Sequence, residues 1–229
     1  MKQLPLDILL GAQPELDNFV EADNVLAMQH LRLQLEAETP SPVPTYLWGG
    51  RGVGKTHLLK AIFHMAQDKG LSVGWMDASS DSSLAFDPKW RWVLMDDVHL
   101  YDTLQQHNAF NWLVQAIHPP VGQSHAVMVS GNLPPSQLTL RDDVRSRLGW
   151  GHVFEIKGLN DESAAQVLKH RASAMGLKLS DELVAFILSR FSRNLSSQLE
   201  LLQALDAYAL AQKRPITIPL LRDMMENME

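Results

Sequence analysis

The sequence predicts an α/β fold in which a parallel sheet with flanking helices precedes a small helical domain. Four apolar runs have the length of buried strands, at residues 72–76, 92–95, 126–130 and 153–156. The helical patterns between them are typical of a parallel sheet. A glycine-rich stretch joins an earlier apolar run to a helical pattern, and only helical patterns follow Gly158. These observations indicate one sheet-based domain with a helical appendage.

The glycine-rich stretch, Gly49 to Thr56, has the form Gly-x-x-x-x-Gly-Lys-Thr and lies between an apolar run and a helical pattern. Glycines let backbone N–H groups turn inward around phosphate oxygens, and the following helix N-terminus adds a partial positive charge. In such a loop Lys55 reaches the outer phosphates and the Thr56 hydroxyl binds Mg²⁺. A flexible loop with an incidental lysine is the alternative. The strand–loop–helix context favours a P-loop that binds a nucleoside triphosphate or diphosphate.

A second apolar run, from Arg91 to Met95, ends in the acidic pair Asp96 and Asp97. Such a run is typical of a buried central strand, and open parallel sheets bind ligands at the carboxyl ends of their strands. We therefore expect Asp96 to hold Mg²⁺ through water and Asp97 to orient or deprotonate an attacking water. Taken alone, the run is also consistent with a strand that leads into an ordinary turn.

Length and composition narrow the class of protein. The 229 residues suffice for one domain, or for one domain with a small appendage. The sequence contains no cysteine, which excludes disulfides and thiolate zinc sites. Because a lack of disulfides suits a reducing compartment, the cytoplasm is the expected location. Pro5 and Asp7 interrupt the first residues before a signal-peptide core forms, and no apolar run is long enough to span a bilayer. The formal net charge of −6 argues against general attraction to DNA.

The predicted organisation has three parts: a tail of residues 1–13, a nucleotide-binding base of residues 14–158 and a helical domain of residues 159–229. Asp23 and Asn24 are expected to cap the first helix of the base. Leu26 and Leu33 are among the apolar positions of that helix.

Four segments resemble the AAA+ ATPases and, within them, the DnaA-related family: residues 16–21, 49–59, 96–97 and 146–151. The first resembles the segment before the first core helix of the family, the second its phosphate loop, the third its acidic pair and the fourth the box with its arginine finger. The resemblance runs over nearly the whole chain after the tail and implies an AAA+ base with a helical lid. On this resemblance, no counterpart of the initiator's terminal DNA-binding domain is expected. The expected domain organisation is therefore similar to that of the family's inactivators of DnaA.

The resemblance implies a site for ADP or ATP with Mg²⁺. The implied nucleotide-binding residues are Val20, Gly49, Gly50, Arg51, Gly52, Val53, Gly54, Lys55, Thr56, His57 and Asn132. The implied metal-site residues are Thr56 and Asp96. Asn132 follows the strand at 126–130, where the family has a polar residue that senses the γ-phosphate. An asparagine after a strand is also an ordinary turn residue.

The implied catalytic residues are Arg147 and Asp97. In the family, an arginine presented to a nucleotide on a neighbouring subunit stabilises the charge that develops during phosphoryl transfer. Arg141 and Arg145 lie nearby and are candidates for structural roles. A surface ion pair is the alternative role for all three arginines.

The helical lid departs from the family pattern at one position. Ser196 occupies the place where the family usually has a sensor arginine, and Arg193 precedes it by one helical turn. This departure predicts weak or no ATP hydrolysis by the chain itself. The resident nucleotide is then expected to set the orientation of the lid.

The tail contains a six-residue segment, Gln3 to Ile8, that fits the pattern by which bacterial proteins bind the replication sliding clamp. The contact residues of such a peptide would be Gln3, Leu4, Leu6 and Ile8. Pro5 restricts the free conformations and so reduces the ordering cost of binding. A frayed end or a strand added to the sheet is the alternative. The resemblance favours clamp binding, because the family's inactivators carry their clamp motif at this end.

Together these features predict a negative regulator of DNA replication initiation. The expected protein is a nucleotide-bound adaptor that is tethered to the sliding clamp and stimulates hydrolysis of ATP bound to DnaA. Its expected partners are DnaA and the clamp, with a homodimer as a further candidate assembly and without sequence-specific DNA binding. A self-contained ATPase that loads or remodels a replication protein is the first alternative. A DNA-binding module recruited to the origin is the second alternative, and the negative net charge of the chain argues against it.

Overall fold

The computed structural model describes residues 14–17, 19–81, 83–191 and 195–227, without the side chains of residues 195–197 and 199. The chain divides into two compact units. The first contains the described residues up to Gly50 and those from Gly54 to Ile156. The second contains Arg51–Val53 and the described residues from Lys157 onward. None of the described helices combines the length and apolar character that crossing a membrane requires.

Five parallel strands form the sheet of the first unit: β1 (Thr45–Trp48), β2 (Val73–Met76), β3 (Trp92–Met95), β4 (Ala126–Gly131) and β5 (His152–Glu155). Their order across the sheet is β2-β3-β4-β1-β5. Every residue of β3 and β4 is buried, as expected for apolar strands that are paired on both sides. β5 pairs with β1 at the edge and is largely exposed. This architecture confirms the predicted α/β class.

Four helices belong to the first unit: α1 (Val25–Glu36), α2 (Lys55–Asp68), α3 (Thr103–Ile117) and α4 (Asp142–Trp150). α3 begins with a capping box, in which the side chains of Asp102 and Gln105 each accept a hydrogen bond from the other's backbone N–H. This reciprocal pairing satisfies two of the N–H groups that a helix start leaves without a partner.

The first helix differs from its sequence-based prediction. A short 3₁₀ turn, Ala22–Asn24, leads into α1, and the Asn24 side chain makes no capping hydrogen bond, so the predicted cap is wrong. Leu26 and Leu33, two of the apolar positions of this helix, are 74% and 67% exposed. The buried residues of α1 are Ala27, Met28 and Leu31, so the side of the helix that packs against the unit, rather than apolar character alone, decides which residues are buried.

The connection between β2 and β3, residues 77–91, contains no helix in its described part. Instead, the buried side-chain amide of Gln105 donates to the carbonyl oxygens of Asp77, Ala78 and Ser80 at 3.2–3.3 Å. These bonds satisfy backbone acceptors that a helix would otherwise pair, so the crossover holds its shape without one. The expectation of a helical pattern between all the strands is therefore wrong at this connection.

The core of the first unit packs the sheet against α3 and α4. Trp112 of α3 is 1% exposed, and its ring centroid lies 4.6 Å from that of Trp90. The buried Tyr46 of β1 donates its hydroxyl hydrogen to Leu133 O at 2.7 Å. A Cβ at Gly131 would lie 2.1 Å from that hydroxyl, so only glycine fits there. These contacts fix the turn that follows β4.

Four helices form most of the second unit: α5 (Asp161–Ala174), α6 (Asp181–Arg190), α7 (Leu195–Gln212) and α8 (Ile218–Glu226). The side chains of Asn160, Ser180 and Thr217 cap three of them, each by accepting a hydrogen bond from the backbone N–H three residues on. Fully buried leucine and isoleucine side chains form their common core: Leu168, Ile187, Leu202, Leu205, Leu220 and Leu221. The predicted helical domain after the sheet is confirmed.

We predict that Gly74→Ala lowers the free energy of unfolding of the first unit by about 1–3 kcal/mol, the typical cost of overpacking a filled core. A Cβ at Gly74 would lie 2.3 Å from Trp90 Cε3, so Trp90 must move from its place against Trp112. All six tryptophans belong to the first unit, so tryptophan fluorescence during urea unfolding measures this change.

Gly149→Ala is the matched control for this substitution. Its Cβ would meet only Pro135 Cβ, at an ordinary contact distance of 3.5 Å, and alanine is a better helix former than glycine. Destabilisation by both substitutions, or by neither, would contradict the steric account.

Candidate functional site

The phosphate loop, residues 49–54, joins the end of β1 to the start of α2. Gly52 and Gly54 have φ angles of 78° and 103°, in a region that residues with a side chain rarely adopt. Gly54 also faces the ring of Phe19, whose Cε2 atom would lie 2.6 Å from a Cβ at this position. The loop thus leads directly into a helix N-terminus, where backbone N–H groups are available to an anion.

Lys55, the first residue of α2, is buried with 6% of its surface exposed. Its Nζ atom donates to Gly49 O and Gly50 O, at 2.9 Å in each case. Burial lowers the pKa of the Lys55 amine, whereas the nearby carboxylates of Asp97 and Asp96 act in the opposite direction. The lysine therefore holds the two ends of the phosphate loop together and places a cation beside the acidic pair.

Asp96 follows β3 and is 5% exposed. Its carboxylate accepts hydrogen bonds from the Ser130 hydroxyl at 2.5 Å and from the Thr56 hydroxyl. Burial raises the pKa of Asp96, and these two hydrogen bonds oppose the shift. The structure thus brings together the two predicted metal-site residues, Thr56 and Asp96, by direct contact.

Asp97 adopts a left-handed backbone conformation with φ 48°, which is uncommon for a residue other than glycine. Its backbone N–H donates to Ser130 Oγ at 2.8 Å. His99 Nδ1 lies 3.8 Å from Asp97 Oδ1, and burial lowers the pKa of His99 while Asp97 opposes that shift. Strained backbone of this kind is frequent at functional sites.

Ser130 connects the backbone of Asp97 to the Asp96 carboxylate, and sequence analysis missed this role. It accepts from the Asp97 backbone and donates to the Asp96 side chain. β3 and β4 are neighbours in the parallel sheet, so their carboxyl ends meet at one edge. A small hydroxyl residue at the end of an otherwise apolar strand was the signal in the sequence.

Asn132 lies in the turn after β4, on the same edge of the sheet, and its side chain is exposed. The hydrogen bond from Tyr46 to Leu133 O holds this turn. Burial raises the pKa of Tyr46, and the nearby carboxylate of Asp97 adds to that shift. Tyr46 therefore remains a neutral hydrogen-bond donor at physiological pH.

The residues of this edge fit a nucleotide with Mg²⁺. They supply a loop with backbone N–H groups at a helix start, a lysine cation, a hydroxyl and a carboxylate. The hydroxyl and the carboxylate provide the oxygen ligands that Mg²⁺ prefers. Within the described ranges, no group of three or more His, Asp or Glu side chains could hold a metal ion. Magnesium in phosphate-binding sites relies on one or two protein groups plus substrate phosphates, which agrees with the pair Thr56 and Asp96.

The segment before α1 also contacts the phosphate loop. The Phe19 ring lies against Gly54, and its centroid is 6.0 Å from that of the His57 ring. Val20, the next residue, is half-buried. The structure thereby brings the segment that contains the predicted residue Val20 to the start of α2, where the predicted residue His57 lies.

Arg147 of α4 stacks on Phe110 of α3, with Cζ 4.5 Å from the ring centroid. Its Nη1 atom donates to Asp143 O at 2.9 Å. Arg141 pairs with the Asp143 carboxylate at 2.7 Å, and Arg145 with that of Asp142 at 2.6 Å. No carboxylate of the described residues lies within 4.0 Å of the Arg147 guanidinium. Arg147 thus differs from its two neighbours, which form the surface ion pairs that are usual for exposed arginines.

Several predicted residues lie outside the described part of the chain. These are the clamp-motif residues Gln3, Leu4, Leu6 and Ile8, together with Arg193 and the side chain of Ser196.

Comparisons with known proteins assign the two units separately. A family model described as the bacterial DnaA ATPase domain matches residues 10–155, and one described as the Hda lid domain matches residues 161–225. An uncharacterised Haemophilus influenzae protein is 28% identical over 232 residues, which is 98% of each chain.

Solved structures share the fold at low sequence identity. Domain III of the Thermotoga maritima replication initiation protein DnaA has a TM-score of 0.75 at 18% identity, covering 93% of this chain and 95% of that domain. Aquifex aeolicus DnaA bound to AMPPCP has a TM-score of 0.65 at 21% identity, covering 82% of this chain and 64% of that chain. The match therefore spans less than two thirds of the length of that DnaA chain.

The parallel sheet, phosphate loop and acidic pair define a P-loop protein of the AAA+ class. Within that class, the chain belongs to the DnaA-related family, with a lid of the Hda type. The predicted fold class and family resemblance are therefore confirmed.

We predict that Lys55→Met weakens ADP binding at least about 100-fold, because the loop loses both its charge and the bonds to Gly49 and Gly50, and a buried charged hydrogen bond is worth about 1.5–3 kcal/mol. Isothermal titration calorimetry with MgADP measures the change. Lys60→Met is the matched control, since Lys60 is exposed on the same helix. Equal ADP affinities of the wild type and Lys55→Met would contradict the assignment of this loop.

Proposed function

We propose that this chain is a nucleotide-bound regulator of replication initiation that stimulates hydrolysis of ATP bound to DnaA. In this proposal the chain supplies Arg147 to the nucleotide of DnaA, and its tail binds the sliding clamp. The DnaA-related base and the Hda-type lid support a role in the control of replication. DnaA is left with ADP, which prevents repeated initiation.

The environment of Arg147 is the observation that carries the proposal. A guanidinium that already pairs with a carboxylate would have to break that pair before it could bind a phosphate. Arg141 and Arg145 are in this position, whereas Arg147 is held by the Phe110 ring and one backbone carbonyl. Arg147 is half-buried, and a cation–π contact contributes about 0.5–1 kcal/mol at exposed sites and more where the groups are desolvated. It orients the side chain without neutralising its charge.

The nucleotide of the chain itself has a supporting role in this proposal. Residues 49–56 and Asn132 would hold ADP or ATP, and Thr56 with Asp96 would hold Mg²⁺, which shields the phosphate charge. The structural neighbour from Aquifex aeolicus binds the nucleotide analogue AMPPCP, which supports nucleotide binding at the corresponding loop. Asp97 is the residue that would orient water if the chain hydrolyses ATP at all.

Hydrolysis by the chain itself is the second candidate function. The geometry of the acidic pair favours it, because Asp97 is fixed through Ser130 beside the buried Asp96. A self-contained ATPase of this kind would load or remodel a replication protein. Its turnover would require no DnaA and would be lost in Asp97→Asn.

We predict that Arg147→Ala reduces the stimulation of DnaA-bound ATP hydrolysis by roughly 10³-fold, the lower range for loss of an arginine finger. The measurement is single-turnover release of phosphate from ATP prebound to DnaA, with clamp loaded on DNA. Arg145→Ala is the matched control on the same helix and should retain most of the stimulation, because that arginine pairs with Asp142.

Equal losses of stimulation in Arg145→Ala and Arg147→Ala would instead indicate an effect of the general loss of charge on α4.

In the same assay, Gln3→Ala tests the clamp tether. It should reduce stimulation when clamp is present and have little effect on the weaker stimulation without clamp. Full stimulation by the wild type without clamp would remove the tether from the proposal and leave the role of Arg147 intact.

A further inference from the structure

The segment between the tail and α1 contacts the end of the phosphate loop through Phe19 and the first turn of α2 through the Glu15 carbonyl. His57 Nε2 lies 3.0 Å from Glu15 O, and the ring must donate this hydrogen bond because a carbonyl oxygen can only accept. Four residues further on, Phe19 packs against Gly54 and faces the same His57 ring. The segment therefore lies along the end of the loop and the first turn of α2.

These contacts fall on the part of the loop that a bound phosphate would fix. Gly54 has φ 103° and precedes Lys55, so its backbone sets the direction of the first N–H groups of α2. Gly54 O accepts the first hydrogen bond of the helix, from Leu58 N at 3.0 Å. Phosphate binding needs those N–H groups in one orientation. The Phe19 ring therefore lies against the residue whose backbone a bound phosphate would fix.

The other end of the segment is attached to α1. The Glu21 carboxylate accepts a hydrogen bond from the Arg32 guanidinium, and the following residue, Ala22, has a left-handed φ of 39°. A non-glycine residue in such a conformation is retained only where its surroundings hold it. The described residues of the segment are thus attached to α1 through Glu21, to the end of the phosphate loop through Phe19 and to α2 through Glu15.

We infer that Phe19 and His57 form a latch that couples occupancy of the phosphate loop to the position of the amino-terminal segment. This inference rests on the nucleotide-binding part of the proposed function. A nucleotide that fixes Gly54 to His57 also fixes the side chains packed on them, so it orders residues 15–21. Because coupling between two sites is reciprocal, whatever holds the segment in place must also tighten nucleotide binding.

The latch has a consequence for the tail, since residues 1–13 join the segment directly at Pro14. Binding of a ligand to the tail would then increase the affinity of the phosphate loop for nucleotide, and nucleotide binding would increase the affinity of the tail for that ligand. Phe19 and His57 act as positioning residues in this arrangement, because their contacts are to the loop and to the segment.

Hydrogen exchange of the full-length protein tests the latch. Amide exchange of residues 15–21 is measured by mass spectrometry with no nucleotide and with MgADP at saturation for each variant. In the wild type we expect MgADP to slow exchange of these amides roughly tenfold, within the usual range of coupling between two sites. Because His57 is also an implied nucleotide-binding residue, each variant is measured at an MgADP concentration that calorimetry shows to saturate it. At that saturation, Phe19→Ala and His57→Leu should lose the protection.

Two further variants separate the latch from general damage. His57→Gln places an amide donor near the position of Nε2 and should retain most of the protection. His64→Leu removes a histidine two turns further along α2 and should behave as the wild type. Protection that is unchanged in Phe19→Ala and His57→Leu would overturn the latch, as would saturating ADP that leaves residues 15–21 unprotected in the wild type. If calorimetry detects no binding of ADP to the wild type, the proposed function fails as well.

Discussion

The buried ammonium group of Lys55 is the interaction on which the candidate site depends. A charge removed from water is costly unless it is paired and hydrogen-bonded. Lys55 meets this requirement by donating to Gly49 O and Gly50 O, with Asp96 and Asp97 close enough to favour its charged form. The same bonds that stabilise the lysine also close the phosphate loop. The fold therefore maintains a cation where a phosphate would bind.

The strand order determines which groups surround that cation. β1, β3 and β4 occupy the middle of the sheet, and all three end at the edge where the loop begins. β1 leads into the phosphate loop, β3 into the acidic pair and β4 into Ser130 and Asn132. Ser130 then joins the acidic pair by one hydrogen bond donated and one accepted. Neighbouring strands thus supply the cation, the carboxylates and the polar turn at one place.

The sequence was sufficient for the features that depend on local pattern. Continuous apolar runs predicted the central strands, and the spacing of Gly54, Lys55 and Thr56 predicted the loop and the helix that follows it. Such features are encoded within ten or so residues, so neither tertiary contacts nor a partner are needed to recognise them.

The features that the sequence did not predict depend on contacts between distant residues. Ser130 meets Asp96 only because β3 and β4 are adjacent, and Phe19 meets Gly54 only when the segment folds back on α2. The exposed leucines of α1 have the same explanation, since Leu26 was assigned to the buried face by its type alone. The turn at 77–91 has no helix because Gln105, from another element, supplies its hydrogen bonds.

The central claim is that this chain acts on a nucleotide held by DnaA, and the most direct test is to identify whose ATP is hydrolysed. In one reaction, DnaA carries γ-labelled ATP and this chain carries unlabelled ADP. In the other, this chain carries the labelled ATP and DnaA carries unlabelled ATP. With clamp loaded on DNA in both, we expect rapid release of labelled phosphate only when DnaA carries the label. Rapid release only when this chain carries the label would contradict the account and establish a self-contained ATPase.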